Sequence, residues 1–71
     1  MKLEEINKVL DKIITIKLDD NRNYSGYARE IVMPEEDDEI QEPILVLEID
    51  GRKDGTIDGF YIKDIMRAEI V

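Results

Sequence analysis

The chain has 71 residues, no cysteine, no histidine and a formal net charge of −8. That composition excludes a disulfide staple, cysteine-based metal sites, the usual zinc ligand and the commonest general base at neutral pH. A field of this sign repels nucleic acid and anionic membrane at long range, keeps the chain soluble, and still leaves room for a local basic patch. A single domain of this size buries only ~60% of the surface its unfolded chain exposes. Its stability must come from a compact apolar core, from association with copies of itself, or from both. Hydrophobic residues make up 42% and charged residues 39%, a balance that fits a folded domain rather than a disordered one. No apolar run approaches the ~20 residues a membrane helix needs. The first residues, Met1 to Glu5, are acidic and unlike a signal peptide, so a cytoplasmic protein is expected.

Leu3, Ile6, Val9, Leu10 and Ile13 recur at helical spacing, and Glu4 precedes Lys8 by four places. The spacing predicts a helix from about Lys2 to Lys12, too short to stand alone in water, whose apolar stripe docks on the mouth of a barrel. From Ile13 the period changes to two. Ile14, Ile16 and Leu18 share a face, with Thr15 and Lys17 opposite, as in a half-buried strand. Asp19 to Arg22 supplies turn residues, and Asn21 tolerates a left-handed backbone. A second strand is expected from about Asn23 to Met33, with Gly26 marking a sharp bend or the close approach of another backbone.

Two prolines, Pro34 and Pro43, bracket six acids in ten residues, which predicts a mobile, solvated loop with Ile40 as its one apolar residue. Ile44 to Ile49 is nearly all apolar and reads as a central strand buried on both faces. Asp50 to Gly55 is a hairpin loop, and Thr56 to Ile62 a fourth strand with a bulge expected at Gly59. Lys63 to Ile65 forms a corner. Met66 to Val71 is the fifth strand, with Met66, Ala68 and Ile70 facing inward and Arg67 and Glu69 outward. The chain therefore reads as one mainly β domain: a helix over residues 1–12, then a five-stranded, strongly bent antiparallel barrel over 13–71 with an acidic loop at 34–43.

A helix followed by five strands resembles the Sm/LSm-like family of small SH3-like barrels, which includes bacterial Hfq. Ile16 to Gly26 looks like the first Sm motif: a strand, a turn, the aromatic Tyr24 and the bend glycine, with Asn21 where the family usually has glycine. Leu45 to Glu48 is similar to the closing strand of that motif, and Phe60 to Asp64 with Met66 to Ile70 looks like the second. The resemblance covers nearly the whole chain. It implies rings in which the last strand of one copy pairs with the fourth strand of the next. The last strand here runs apolar to Val71, and an uncovered edge is commonly paired by another strand. Phe60, Ile62, Met66, Ala68 and Ile70 are the candidate subunit edge.

The family's RNA-binding members carry an Asp, an aromatic or His, and an Asn in the loop between the second and third strands. Here that loop is the acidic stretch. Where the second motif presents an Arg-Gly pair, this chain has Lys63 and Asp64. Single-stranded RNA needs stacking aromatics along a basic track. Tyr24, Tyr27, Phe60 and Tyr61 could stack, but basic residues among them are sparse, and a core or subunit-interface role is favoured for each ring over a base platform. Two other motifs fall short. Asp50 to Tyr61 resembles a calcium loop, but Arg52 and Tyr61 replace two required ligands. The carboxylates cluster in polar loops, not in the dissimilar environments that separate an acid from a base, and Ser25 has no histidine to activate it.

The leading expectation is a non-catalytic module that binds copies of itself or another protein, with no cofactor and no metal. RNA binding on a ring face, through Tyr24, Lys63 and Arg67, is the less favoured alternative. A small acidic regulator or inhibitor that mimics nucleic acid with Glu35 to Glu42 is a third.

Overall fold

The computed structural model describes residues 1–36, 38–49 and 56–71. It contains a short helix α1 (Leu3–Asn7), five strands, β1 (Ile13–Leu18), β2 (Asn23–Val32), β3 (Ile44–Ile49), β4 (Ile57–Tyr61) and β5 (Ile65–Ile70), and two 3-10 turns at Pro34–Glu36 and Ile62–Asp64. All strand pairs are antiparallel, in one sheet ordered β4-β3-β2-β1-β5. The expected hairpin at Asp50 to Gly55 and the first six places of the calcium-loop resemblance lie outside the described residues.

Helix α1 is shorter than the apolar spacing predicts. Its start is held by the Glu5 carboxylate, which accepts the Lys2 backbone N–H at 3.1 Å, and the two acids in its first turn suit the positive end of the helix dipole. Its continuation is taken over by the sheet. Asp11 adopts a left-handed φ of 65°, its N–H donates to the Ala28 carbonyl at 2.8 Å, and the Ala28 N–H returns to Lys12 at 2.9 Å. Backbone groups bonded to β2 cannot also continue a helix. Of the apolar stripe, Ile6 and Val9 are buried, whereas Leu3 and Ile13 are exposed.

Strands β1 and β2 form the expected hairpin. Asn21 is left-handed with φ 71°. The Asp20 carboxylate accepts the Arg22 N–H at 3.1 Å, and the Asn21 N–H closes the turn on the Leu18 carbonyl at 2.9 Å. At Gly26 a close approach is what the residue permits: a β-carbon there would collide with the Glu48 carbonyl oxygen of β3. Strand β3 buries one face, through Leu45 and Leu47, while Ile44 and Val46 on the other face are half-buried. Burial on both faces would require a second layer outside the sheet, and α1 covers only the inside.

Two bulges reset the side-chain phase. Ala28 pairs with Leu47 but Glu30 with Val46, so Arg29 is an extra residue in β2. That shift brings Ile31, opposite buried Leu45, onto the core side where strict alternation would have put Glu30. Lys17 pairs with Arg67 but Leu18 with Ile65, so Met66 is extra in β5. Met66 is therefore not inward-facing as expected. It is exposed, and Ile65 takes the buried place. At Gly59 the register is regular and there is no bulge.

The core consists of Ile6, Val9, Ile14, Ile16, Leu18, Ala28, Leu45, Leu47, Ile62 and Ile65. Each fully buried isoleucine or leucine contributes ~1.5–3 kcal/mol relative to exposure. The sheet curls around this core but is not closed into a barrel. Five strands laid flat would span about 19 Å from first to last at the usual spacing. Yet the three-residue turn Ile62–Asp64 links β4 directly to β5, a reach of at most about 14 Å. The sheet must curl to allow that connection. The turn is fixed at both ends, by the Ile62 N–H on the Pro43 carbonyl at 3.1 Å and the Asp19 N–H on the Asp64 carbonyl at 2.9 Å. Strand β5 docks on β1, so β4 and β5 remain the two edges of the sheet.

Candidate functional site

Two surface features stand apart from the core. The first is the pair of sheet edges. Among the described residues, the exposed large apolar side chains are Ile57 and Tyr61 on β4, Met66 and Ile70 on β5, Val71 just after it, Ile13 beside it on β1, and Leu3 on α1. All but Leu3 lie on or beside an edge. Ile13 is joined to the β5 edge through its carbonyl, which accepts the Val71 N–H at 3.0 Å.

The second feature is a notch of about 330 Å³ at the mouth of the curl. Leu18, Arg22 and Tyr24 from the β1–β2 hairpin form one wall, and Asp58, Phe60 and Tyr61 of β4, with Asp64 of the turn, form the other. Register explains why they converge. Tyr24 pairs with buried Ile16, and Phe60 with buried Leu45, so both rings sit on the core side of the sheet. Their centroids are 4.8 Å apart and their planes inclined by 44°, within the range of favourable tilted aromatic contacts. Asp58 also shares the core side, opposite buried Leu47, where alternation would normally place an apolar residue.

Two cations lie on aromatic rings of this region. The Arg22 guanidinium is 5.9 Å from the centre of Tyr24, and the Lys63 ammonium 5.6 Å from that of Tyr61. Arg22 also donates to Asp20 at 2.6 Å and to the Tyr24 hydroxyl at 3.2 Å. Asp20 is held below its ordinary pKa, chiefly because it accepts the Arg22 backbone N–H, with the guanidinium adding to the effect. Arg22 is pushed up by the same side-chain hydrogen bond. On the outer face, the Tyr27 hydroxyl donates to Asp11 at 3.0 Å, and this bond raises the phenol's pKa.

The residues singled out from the sequence separate into groups. Tyr24 and Phe60 meet in the notch, and Lys63 lies over the ring of Tyr61. Arg67 is elsewhere, on the outer face of β5 and 3.4 Å from Glu69 of the same strand. Met66, Ala68 and Ile70 lie on the β5 edge strand, whereas Ile62 is buried in the core. Sequence reasoning passed over Arg22, Asp58 and the edge residues Ile57 and Ile13. Asp58 had one available signal: it stands two places before Phe60, so both occupy the same face of a strand. The acidic stretch has local structure at its start. It opens with the turn Pro34–Glu36, in which the Glu36 carboxylate accepts the Met33 N–H at 2.8 Å. Among the described residues no group of three or more acids could hold a metal ion, and no helix is long and apolar enough to cross a membrane. No family model, curated protein or solved structure matches the chain.

Proposed function

We propose that the chain is a non-catalytic module of the Sm-like kind that assembles with copies of itself, β4 of one copy pairing with β5 of the next. The observation that carries this reading is the concentration of exposed apolar side chains on the two unpaired edges. An edge strand offers a row of free N–H and C=O groups, and proteins that stay monomeric blunt such edges with charge, proline or cover. Here the edges carry exposed Ile57, Tyr61, Met66 and Ile70 beside the charged Asp58, Arg67 and Glu69. The order β4-β3-β2-β1-β5 puts unlike strands at the two ends, so their union is head-to-tail and continues the sheet from copy to copy. The same order of one helix and five strands supports the Sm-like assignment. A structural role for Ser25 is supported by its hydrogen bond to its cross-strand partner Thr15, 2.8 Å away.

Sedimentation velocity over a concentration series tests the proposal. Wild-type protein is expected to assemble, and Ile57→Lys (on β4) and Ile70→Lys (on β5) are each expected to remain monomeric. Mixed together, the two variants still hold one intact β4 and one intact β5 between them and should form a dimer and nothing larger. Wild-type protein that stays monomeric at millimolar concentration, or a mixture that forms no dimer, overturns head-to-tail pairing.

A further inference from the structure

We propose that the notch between the β1–β2 hairpin and β4 receives an arginine side chain from another protein. The walls supply the two things a guanidinium needs: aromatic faces to lie against and carboxylates to accept its N–H groups. Tyr24 and Phe60 provide the faces. Asp58 and Asp64 are half-buried, and among the described residues neither carboxylate has a hydrogen bond or ion pair. Asp58 lies opposite a fully buried leucine, on the face of β4 otherwise given to the core. A carboxylate there gives nothing to packing, and its use is to meet a cation entering the notch.

A cation already lies over one of these rings, since the Arg22 guanidinium is 5.9 Å from the centre of Tyr24. Arg22 does not bar a second guanidinium, because its charge is matched by Asp20 at 2.6 Å. The net charge of −8 speeds the approach of a basic partner and disfavours an anionic one. Arginine fits better than lysine. Its planar head stacks on a ring while its fork of donors reaches carboxylates, whereas an ammonium is a compact, strongly hydrated point charge. The inference does not depend on self-assembly.

The test is an amide-resolved NMR titration of the full chain, repeated on Ile70→Lys to keep the protein monomeric. The probe is the peptide acetyl-(Gly-Arg)4-amide, with the lysine analogue and a uridine oligonucleotide as comparisons. The arginine peptide is expected to shift the amides of Tyr24, Asp58, Phe60 and Asp64 and to bind more weakly as salt rises. The double variant Asp58→Asn/Asp64→Asn should weaken it by about tenfold or more, the effect of losing charge-assisted hydrogen bonds. Phe60→Leu keeps the apolar contact, removes the ring face and should weaken binding several-fold. Native-like spectra of the variants before titration show that they are folded. Shifts centred on Glu35 to Glu42, or unchanged affinity in the double variant or in Phe60→Leu, overturn the site. Equal affinity for the lysine peptide overturns the assignment to arginine. Stronger shifts of the same amides by the oligonucleotide overturn the choice of a protein partner.

Discussion

Ile14 and Ile70 are the same residue type, are paired with each other across β1 and β5, and sit on the same face of the sheet. Ile14 is 0% exposed and Ile70 is 56% exposed. The side chains do not differ; their flanks do. Strand β1 has β2 on one side and β5 on the other, while β5 has β1 alone. In a sheet this small, position along the strand fixes which face a residue joins. Strand order fixes whether that face is covered. Ile70 is a core-type residue without a neighbouring strand on its outer side, and a second copy could supply one.

The sharpest test of that contrast is the matched pair Ile14→Ala and Ile70→Ala, measured by urea unfolding at a concentration low enough to keep the protein monomeric. Ile14→Ala is expected to destabilise by about 2–5 kcal/mol, the range for a large-to-small change in a packed core. Ile70→Ala should change stability by less than about 1 kcal/mol, as for an exposed position. Equal losses would mean that the β5 edge is covered within the monomer. A smaller effect is expected at Gly26, where the contact is between backbones. Gly26→Ala drives a methyl group toward the Glu48 carbonyl and should cost about 1–3 kcal/mol by overpacking. A fall in melting temperature would report it, and an unchanged melt would mean that β2 and β3 can separate freely at that point. The smallest effect belongs to the hairpin tip. Asp20 has a lowered pKa in the folded chain. Its contribution to stability is therefore present above the ordinary carboxylate range and lost as pH falls through its folded-state value. Wild type should exceed Asp20→Asn slightly in stability at neutral pH, and the gap should close in acid. A gap that persists below that range would assign the effect to geometry, not charge.

The strands were legible because most obey a period of two. Ile14, Ile16 and Leu18 alternate without interruption, and all three are buried. The turn at Asn21 and the close approach at Gly26 were legible because few other residues tolerate those positions. The phase changes at Arg29 and Met66 were missed, although the sequence carries a trace of each. The core-side residues run Ala28 then Ile31, and Ile65 then Ala68, each three apart instead of two. An odd interval between apolar residues within a strand is the mark of a bulge. The end of α1 was not legible, because the hydrogen bond that takes over its backbone comes from Ala28, far along the chain. An uncovered edge at the last strand was expected, but the exposed places of Ile57 and Ile13 were not, because local periodicity records which side a residue faces and not the order of the strands. Tyr24 and Phe60 could be recognised as aromatics able to stack, but their meeting depends on the order of strands that no local pattern encodes.

The unlike edges have a further consequence. Two identical edges can satisfy each other and stop at a pair. Two different edges, once joined, leave one of each kind still open, so growth by this route has a direction and no intrinsic end. Only the angle between successive copies decides whether the series returns to its starting point as a closed circle or runs on as a filament. A copy with one damaged edge would then act as a terminator, and a small admixture of it would shorten every assembly it entered.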